Sequence, residues 1–474
     1  DGTRAIICYV EGFRDARAFL QVAARVSRSK PVLVIKGARS ESGKAAARSH
    51  TGAVAGEYDR LRAGFQQADV VEVLRTDELL HLAETLAWQP AVRNGAGIAI
   101  LSDGGGQGTL AVDALSDLGV PIATLGHDTR GGLRDLLGAA AAVANPVDLA
   151  GASDADPEVF GAALEIIARD RGVGGVLLVG LFGGYGIRFA EELTAAEERA
   201  AERMAEAMRE EVKPLVVHSR YASHKGAPLE RLGAHRVPVI ESLDVACRCI
   251  GEAWRRGKVL ARPGWMPGGD PETVAPRAGR RLGSLGPHEA VRRARTEGRD
   301  TLTEPEARAL LRDVGMPFPP SALCTTPEEA AEAVRGMRTA VAMKVVSAKI
   351  PHKTDAGGVA LGIGSPSGAK RAIRLIRDRT ARYLSEHGLE TGIDGVLVSP
   401  MMATPLAELL IGARRDPQVG PMLTLGAGGI WVEVLKDVNH RVLPVGDGEI
   451  REMVADLRTF GLLAGARGRD AADI

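Results

Sequence analysis

The stretch AIICYVEGFRDARAFLQVAARVSRSKPVLVIK, residues 5–36, decides the fold of the first part of the chain. Residues 5–10 and 32–36 are short, apolar and rich in β-branched side chains, which is typical of buried strands. Between them, apolar side chains recur at helical spacing, at Phe19, Val22, Ala23 and Val26. A strand, a helix and a second strand in this order predict a parallel pair covered by the helix.

The same alternation continues through the first half of the chain and predicts an α/β fold. Helical patterns separate further short apolar runs at residues 98–101, 176–179, 215–218 and 237–240. They predict two flavodoxin-like parallel-sheet domains, residues 1–94 and 95–257. Residues 258–300 are rich in Pro, Gly and Arg, a composition that disfavours regular structure, and are predicted to form a linker.

Residues 301–474 follow a different pattern. Thr303-Glu304-Pro305-Glu306 is a helix-start signal with Pro in the first turn. An apolar strand at 341–346, a long helix around 370–385 and a strand near 395–399 follow without a regular βαβ repeat. This part of the chain is therefore predicted to be an α+β domain.

Composition argues against several classes of protein. Lys and Arg total 60, as do Asp and Glu, so the charge balance gives no support to binding of nucleic acid or of an anionic membrane. The four cysteines form neither a zinc-binding pattern nor a disulfide framework. With no signal peptide and no apolar run of membrane-spanning length, we expect a cytoplasmic location.

Two histidines stand among small, turn-forming residues, where a core histidine would not be expected. His50 lies in Ser49-His50-Thr51-Gly52-Ala53, and His352 lies in the sequence IPHKTDAGG at 350–358. Imidazole is a competent nucleophile near neutral pH, so it can accept and return a phosphoryl group. The pair predicts that a phosphoryl group passes between two sites.

A glycine-rich turn and a carboxylate are further candidates for phosphate chemistry. The sequence SDGGGQGT at 102–109 follows a predicted strand and opens an apolar helix, so its backbone N–H groups can hold an anion. Such turns also occur without a ligand, and the spacing does not match the dinucleotide fingerprint. Glu11 ends the first strand, where it is either a surface residue or a carboxylate that orients a nucleophilic imidazole.

Candidate nucleotide-binding residues lie in the last part of the chain. Lys344 stands in the middle of the apolar strand VAMKVV at 341–346. A lysine in that position either extends its ammonium to solvent or binds a nucleotide phosphate. Residues 412–417 and 426–437 combine backbone donors, arginines and carboxylates, a mixture that suits a polyphosphate with Mg²⁺.

Taken together, these segments resemble the NDP-forming acyl-CoA synthetases, relatives of succinyl-CoA synthetase that include ADP-forming acetate–CoA ligase. The resemblance covers nearly the whole chain, and its motifs occur in the family's order: SHTG at 49–52, NPVD at 145–148, HKTDAGG at 352–358 and RDP at 415–417. It implies that residues 301–474 form an ATP-grasp domain. It also implies a ligase that interconverts a carboxylic acid, ATP and CoA with acyl-CoA, ADP and phosphate.

The resemblance implies roles for individual residues. His50 takes the phosphoryl group from an acyl phosphate with the support of Glu11, and His352 then carries it to ADP. The phosphate is held at the helix start formed by Gly105, Gly106, Gln107, Gly108 and Thr109. The nucleotide is bound by Lys344, Gly357, Gly358, Val398, Ser399, Met401 and Glu408, with 398–401 at the adenine-contacting hinge. Magnesium is bound by Glu433 and Asp437. The loop LFGGYG at 181–186 is a candidate contact for the acyl group.

The chain also departs from the family pattern. The family's N-terminal CoA-binding domain and its final segment with an Asp-Asn-Pro element have no counterpart here. Both ends look cut, and we expect part of a longer protein, with the CoA site on the missing N-terminal domain. By analogy with the family we expect a homo-oligomer.

Two other functions are considered. The first is a regulatory or sensor module, such as the synthetase-like part of a protein fused to an acetyltransferase. The second is an ATP-grasp carboxylate–amine ligase, which uses no phosphohistidine and leaves residues 1–258 unexplained. The presence of His50, His352 and Lys344 favours an enzyme, because a sensor has no need of nucleophiles.

Overall fold

The computed structural model divides the chain into two compact units. The first comprises Asp1–Gly269 and Leu409–Gly461, and the second comprises Asp270–Glu408 and Leu462–Asp473. The structure describes all residues except 1, 41, 44–57, 139–140, 150, 263, 266–287, 351, 390–391, 403–404, 430–434, 436, 466–469 and 474.

Three parallel strands form the first sheet, in the order β1-β2-β3. The strands are β1 Ile6–Val10, β2 Val32–Lys36 and β3 Val71–Val73. The helices of this region are α1 Ala16–Val26, α2 Tyr58–Gln67 and α3 Leu79–Trp88, with a 3₁₀ turn at Thr76–Glu78. The strand–helix–strand unit predicted from residues 5–36 is confirmed.

Helix α1 is positioned by its own sequence. Asp15 caps it by accepting a hydrogen bond from the backbone N–H of Ala18 at 2.8 Å. Val22 belongs to the predicted apolar stripe, but it is 51% exposed. The reason is that the buried stripe follows the i, i+4, i+7, i+8 spacing of Ala16, Leu20, Ala23 and Ala24.

Five parallel strands form the second sheet, in the order β5-β4-β6-β7-β8. The strands are β4 Gly97–Ser102, β5 Val147–Asp148, β6 Val173–Gly180, β7 Leu215–Ser219 and β8 Val239–Ile240. Every residue of β4, β6 and β7 is buried, as in a parallel sheet covered on both faces. The helices are α4 Gly105–Asp117, α5 His127–Leu137, α6 Ala152–Ala155, α7 Glu158–Ala168, α8 Tyr185–Arg188, α9 Leu193–Glu210, α10 Ala227–Ala234 and α11 Leu243–Ala261, with a 3₁₀ turn at Ala222–His224.

The second unit contains an antiparallel sheet in the order β11-β10-β12-β9. Its strands are β9 Ala322–Cys324, β10 Val341–Val346, β11 Val359–Ile363 and β12 Gly395–Pro400. Its helices are α12 Glu289–Thr296, α13 Glu304–Asp313, α14 Pro327–Met337 and α15 Pro366–Glu386. The predicted helix start at 303–306 is confirmed, because Thr303 and Glu306 form a capping box at the first turn of α13.

A third sheet, in the order β13-β14-β15, folds with the first unit although it lies late in the sequence. Its strands are β13 Leu409–Asp416, β14 Gly420–Ala427 and β15 Val438–Val442, followed by helices α16 Asp447–Ala455 and α17 Phe460–Leu463. Gln67 of α2 accepts a hydrogen bond from Val442 N at 2.6 Å and donates to Val442 O at 3.1 Å. Arg60 forms an ion pair with buried Asp416 at 3.1 Å. These contacts attach residues 409–461 to the first flavodoxin-like sheet.

None of the described helices is long and apolar enough to cross a membrane.

Candidate active site

Glu11 lies directly after β1, at the carboxyl edge of the first sheet. Its Oε1 accepts a hydrogen bond from the Tyr9 hydroxyl at 2.9 Å, and this interaction raises the pKa of Tyr9. Lys36 Nζ donates to the Glu11 carbonyl at 2.6 Å. Glu11 Oε2 is buried and has no hydrogen-bond partner in the described part of the chain. One oxygen of this carboxylate is therefore fixed, and the other remains an acceptor for a further donor.

Gly37 makes room for Glu11. A Cβ at Gly37 would lie 3.1 Å from the Tyr9 hydroxyl and 3.4 Å from Glu11 Cγ. His50 follows Gly37 in sequence but lies outside the described residues, so its pairing with Glu11 stays a prediction.

The predicted phosphate-binding residues open helix α4, at the carboxyl edge of the second sheet. Gly104 precedes the helix in an extended conformation, and no side chain caps it. The Gly104 N–H donates to Ser102 Oγ at 3.1 Å and the Gln107 N–H donates to Gly104 O at 3.2 Å. Within the described residues, the N–H groups of Gly105 and Gly106 are therefore the donors that this turn offers to an anion. Gln107 Oε1 is buried without a partner among the residues described. Gly105, Gly106, Gln107, Gly108 and Thr109 are thus brought together in one turn, as predicted from their sequence order.

The NPVD motif at 145–148 meets this helix start. Asn145 is bonded to the neighbouring backbone: its Oδ1 accepts from Ile100 N at 2.9 Å, and its Nδ2 donates to Ile98 O at 2.9 Å. A Cβ at Gly108 would lie 3.3 Å from Pro146 Cβ, and a Cβ at Gly105 would lie 3.1 Å from Asp148 Oδ2. Two motifs that are about forty residues apart in sequence thus form one edge of the sheet.

Asp103 and Glu197 are two carboxylates near this edge that were not assigned roles from sequence. Asp103 accepts hydrogen bonds from Leu181 N at 2.7 Å and from the Tyr185 hydroxyl at 3.0 Å. Burial raises the pKa of Asp103, and the nearby charge of Asp148 acts in the same direction. Glu197 of α9 accepts from the backbone N–H groups of the 181–186 loop, and burial raises its pKa. The sequence feature that points to this region is the aromatic, glycine-rich composition of the 181–186 loop.

Lys344 lies in β10, in the second unit, on an apolar face of the antiparallel sheet. The strands pair it with Val359 of β11 and Leu397 of β12, so the three side chains share one face of the sheet. Val341, Met343 and Val345 point to the opposite face and belong to the hydrophobic core of this unit. Lys344 is half-buried and has no hydrogen-bond or ion-pair partner within the described residues.

The predicted hinge residues divide between the two faces of the same sheet. Val398 pairs with Met343 and is buried in the core, so a nucleotide would meet only its backbone. Ser399 pairs with Ala342 and lies on the Lys344 face. Met401 follows the strand, and its N–H donates to Ala340 O at 2.8 Å. Glu408 is exposed and directly precedes β13.

The loop that carries His352 ends beside Lys344. Gly358 directly precedes Val359, the partner of Lys344 in β11, and its N–H donates to Lys353 O at 2.7 Å. A Cβ at Gly358 would collide with Val345, so only glycine allows this approach. Gly357 has φ +64°, which favours glycine. His352 is exposed, and its imidazole has no partner among the residues that the structure describes.

The described residues do not assemble a magnesium site. Both oxygens of Asp437 accept hydrogen bonds from the turn at 458–459, at 2.9 to 3.0 Å, and these bonds help to lower its pKa. Glu433 lies outside the described residues. Where the chain is described, no group of three or more His, Cys, Asp or Glu side chains is arranged to hold a metal ion. Magnesium binding by Glu433 and Asp437 stays a prediction.

Comparison with known proteins identifies a flavodoxin-like domain and an ATP-grasp domain in the chain. Residues 1–86 match the family model of the succinyl-CoA ligase like flavodoxin domain, and residues 293–474 match that of an ATP-grasp domain. The predicted fold class, flavodoxin-like parallel sheets followed by an ATP-grasp domain, is confirmed. The class of protein that these domains define is the succinyl-CoA ligase superfamily.

Three relatives specify the family. ADP-forming acetate–CoA ligase I of Archaeoglobus fulgidus is 32% identical over 475 residues, which cover 100% of this chain and 64% of that protein. ADP-forming 4-hydroxybutyrate–CoA ligase of Nitrosopumilus maritimus is 30% identical over 476 residues, with the same coverage of 100% and 64%. The β subunit of ADP-forming acetate–CoA ligase II of Pyrococcus furiosus is 38% identical over 178 residues, 38% of this chain and 73% of the subunit.

The chain belongs to the family of ADP-forming acetate–CoA ligases, and the predicted resemblance to NDP-forming acyl-CoA synthetases is confirmed. It spans 64% of the length of the first two relatives.

Proposed function

We propose that the protein is an acid–CoA ligase that interconverts a carboxylic acid, ATP and CoA with acyl-CoA, ADP and phosphate. The observation that carries this proposal is the similarity along the whole chain to two ADP-forming acid–CoA ligases, one for acetate and one for 4-hydroxybutyrate. Both the flavodoxin-like and the ATP-grasp parts of the architecture are present. We further propose that the reaction proceeds through an acyl phosphate and two phosphohistidines.

The nucleotide end of the reaction is assigned to the Lys344 face of the second unit. A half-buried ammonium without a partner costs free energy unless an anion satisfies it, and an ATP phosphate supplies that charge. The glycine pair Gly357-Gly358 leads directly into Val359, the strand partner of this lysine, so its backbone is assigned to the same site. Ser399 and Met401 are assigned to the adenine, and Val398 contributes through its backbone.

The acyl phosphate end is assigned to the first unit. The free Oε2 of Glu11 suits an imidazole N–H, because a carboxylate at one ring nitrogen leaves the other nitrogen nucleophilic. The uncapped start of α4 would hold the phosphate through its backbone N–H groups. His50 attacks the phosphorus atom, a P–N bond forms, and the bond between phosphorus and the acyl oxygen breaks to release the carboxylate.

His352 is assigned to the second transfer. Its exposed imidazole accepts the phosphoryl group from His50 and passes it to a terminal oxygen of ADP, so that the P–N bond breaks as a P–O bond forms. Magnesium would accompany the nucleotide and neutralise phosphate charge. No step is assigned to a protein-bound metal, since the described carboxylates do not form a site for one.

The substrates and partners follow from the same proposal. They are a small carboxylic acid, ATP or ADP, and CoA, with CoA bound outside the residues assigned above. A homo-oligomer is expected by analogy with the family.

The proposal is tested by labelling the intact protein with ATP radiolabelled at the γ-phosphate, in the presence of Mg²⁺. The expected result is a phosphate that is labile in acid and stable in base, and that is absent from His352→Ala. His127→Ala is the matched control, because His127 lies on the surface of α5 with a 91% exposed side chain and no assigned role. Labelling of His352→Ala at the level of the wild type would overturn the relay.

A further inference from the structure

Asp103 is held in unusually close contact with the strand next to it. It follows β4 and precedes Gly104, the N-cap residue of helix α4. Gly180 ends the adjacent strand β6, and a Cβ there would collide with the Asp103 carboxylate. Glycine at position 180 therefore lets the partly buried carboxylate of Asp103 lie against the neighbouring backbone, two residues before Gly105.

The Tyr185 hydroxyl is the side-chain donor to this carboxylate. It lies 3.0 Å from Asp103 Oδ2 and 2.8 Å from Ser153 Oγ, and Tyr185 is 1% exposed. Burial and the charge of Asp103 raise the pKa of Tyr185, so its hydroxyl stays protonated and donates. The ring packs edge-on against Phe160, with centroids 5.7 Å apart, which fixes where the hydroxyl points.

Glu197 holds the rest of the loop that contains Tyr185. Its Oε1 accepts from Gly183 N at 2.6 Å and Tyr185 N at 3.2 Å, and its Oε2 accepts from Gly186 N at 3.2 Å. Glu197 is 1% exposed, so its carboxylate is committed to this loop. The loop at 181–186 is thus fixed at two points, by Glu197 on the α9 side and by Asp103 on the α4 side.

We propose that Tyr185 is a positioning residue of the phosphate site: acting through Asp103, its hydroxyl fixes the 181–186 loop against the first turn of α4. The inference rests on the proposed function, which assigns that turn to the phosphate. The loop then forms one wall of the phosphate site. The hydrogen bond between Tyr185 and Asp103 holds this loop in place, and it also holds Asp103, which leads into the first turn of α4. Ser153 forms the second hydrogen bond of this hydroxyl.

The test is binding of inorganic phosphate to the intact protein, measured by isothermal titration. Tyr185→Phe keeps the ring and removes the donor, and its dissociation constant for phosphate should rise about tenfold, the effect of losing one hydrogen bond to a charged group. Tyr221→Phe is the matched control, because the Tyr221 ring also lies against the loop but its hydroxyl has no hydrogen-bond partner among the described residues. It should bind phosphate as the wild type does.

Two further variants separate positioning from stability. Ser153→Ala removes only the other hydrogen bond of the Tyr185 hydroxyl, so it should lower the melting temperature by no more than Tyr185→Phe does, and it should leave phosphate affinity within about twofold of wild type. In an Asp103→Ala background, Tyr185→Phe should add no further loss of affinity, because the carboxylate that accepts its hydrogen bond is already gone. Equal phosphate affinity of Tyr185→Phe and wild type, or an equal loss in Ser153→Ala, would overturn the inference.

Labelling by ATP distinguishes this inference from the proposed function. Transfer from ATP uses the nucleotide end of the relay, so Tyr185→Phe should still take up label on His352. If the wild type takes up no label, the relay is wrong. If Tyr185→Phe nevertheless weakens phosphate binding relative to Ser153→Ala, the positioning role stands without the relay.

Discussion

Replacement of Lys344 by methionine should stabilise the protein and abolish its response to ATP. Methionine keeps an unbranched side chain of similar length but removes the ammonium. The side chains next to Lys344 on the two neighbouring strands are Val359 and Leu397, and Leu397 is only 3% exposed. A half-buried charge without a protein partner in such surroundings opposes folding, so its removal should add about 1 kcal/mol to the free energy of unfolding.

The effect is large enough to measure by thermal denaturation. A gain of about 1 kcal/mol corresponds to a rise of roughly 2–4 °C in melting temperature for a unit of 150–250 residues. In the wild type, ATP should raise the melting temperature further, because it binds the folded state and supplies the missing anion. In Lys344→Met, that ATP-dependent rise should disappear.

Lys370→Met provides the matched control. Lys370 also lies in the second unit, but it forms an exposed ion pair with Glu328 at 3.0 Å. Loss of such a pair should change stability by no more than about 0.5 kcal/mol and should leave the response to ATP intact. The reasoning would be refuted if Lys344→Met melted below the wild type, or if ATP stabilised it as strongly as it stabilises the wild type.

Three further predictions concern the same fold. Hydrogen bonds from Arg299 lower the pKa of Glu306 from 4.5 to about 2, so the carboxylate stabilises the start of α13 above pH 4.5 and loses that effect as the pH falls towards 2. Amide exchange of α13 should therefore speed up over that interval in the wild type, whereas Glu306→Gln should show fast exchange at both ends of it. Gly358→Ala should lower the melting temperature by the equivalent of about 1–3 kcal/mol and weaken ATP binding, because the new Cβ collides with Val345. An unchanged ATP affinity would show that this loop is not part of the nucleotide site. Gln67→Ala should make residues 409–461 more sensitive to limited proteolysis, since both hydrogen bonds between Gln67 and Val442 of β15 are lost. Cleavage at the wild-type rate would show that these two hydrogen bonds do not hold the segment in place.

The parts of the fold that depend on short stretches of sequence were predictable. The strand–helix–strand unit at 5–36 follows from hydrophobic periodicity, and the start of α13 follows from a Thr and a Glu three residues apart. Lys344 was predictable as a candidate because a charged residue inside an apolar strand is rare. In each case the signal lies within a few residues of the feature that it predicts.

The parts that depend on contacts between distant segments were not predictable. The hydrogen bond between Asp103 and Tyr185 joins residues that are 82 positions apart, and no local pattern marks it. Glu197 lies in the helix sequence LTAAEERAAERMAEAMRE, where one buried glutamate looks like its solvent-exposed neighbours. Attachment of 409–461 to the first flavodoxin-like sheet likewise depends on side chains such as Gln67, whose partner lies 375 positions away.

The central claim is that two histidines carry the phosphoryl group in turn. Its most direct test is to incubate the intact protein with ATP and Mg²⁺ and to locate the phosphate by mass spectrometry under alkaline conditions. The account predicts phosphate on His352 and on His50 in the wild type, a smaller share on His50 in Glu11→Gln, and none on either residue in His352→Ala. Phosphate on His50 in His352→Ala, at the level found in the wild type, would contradict it.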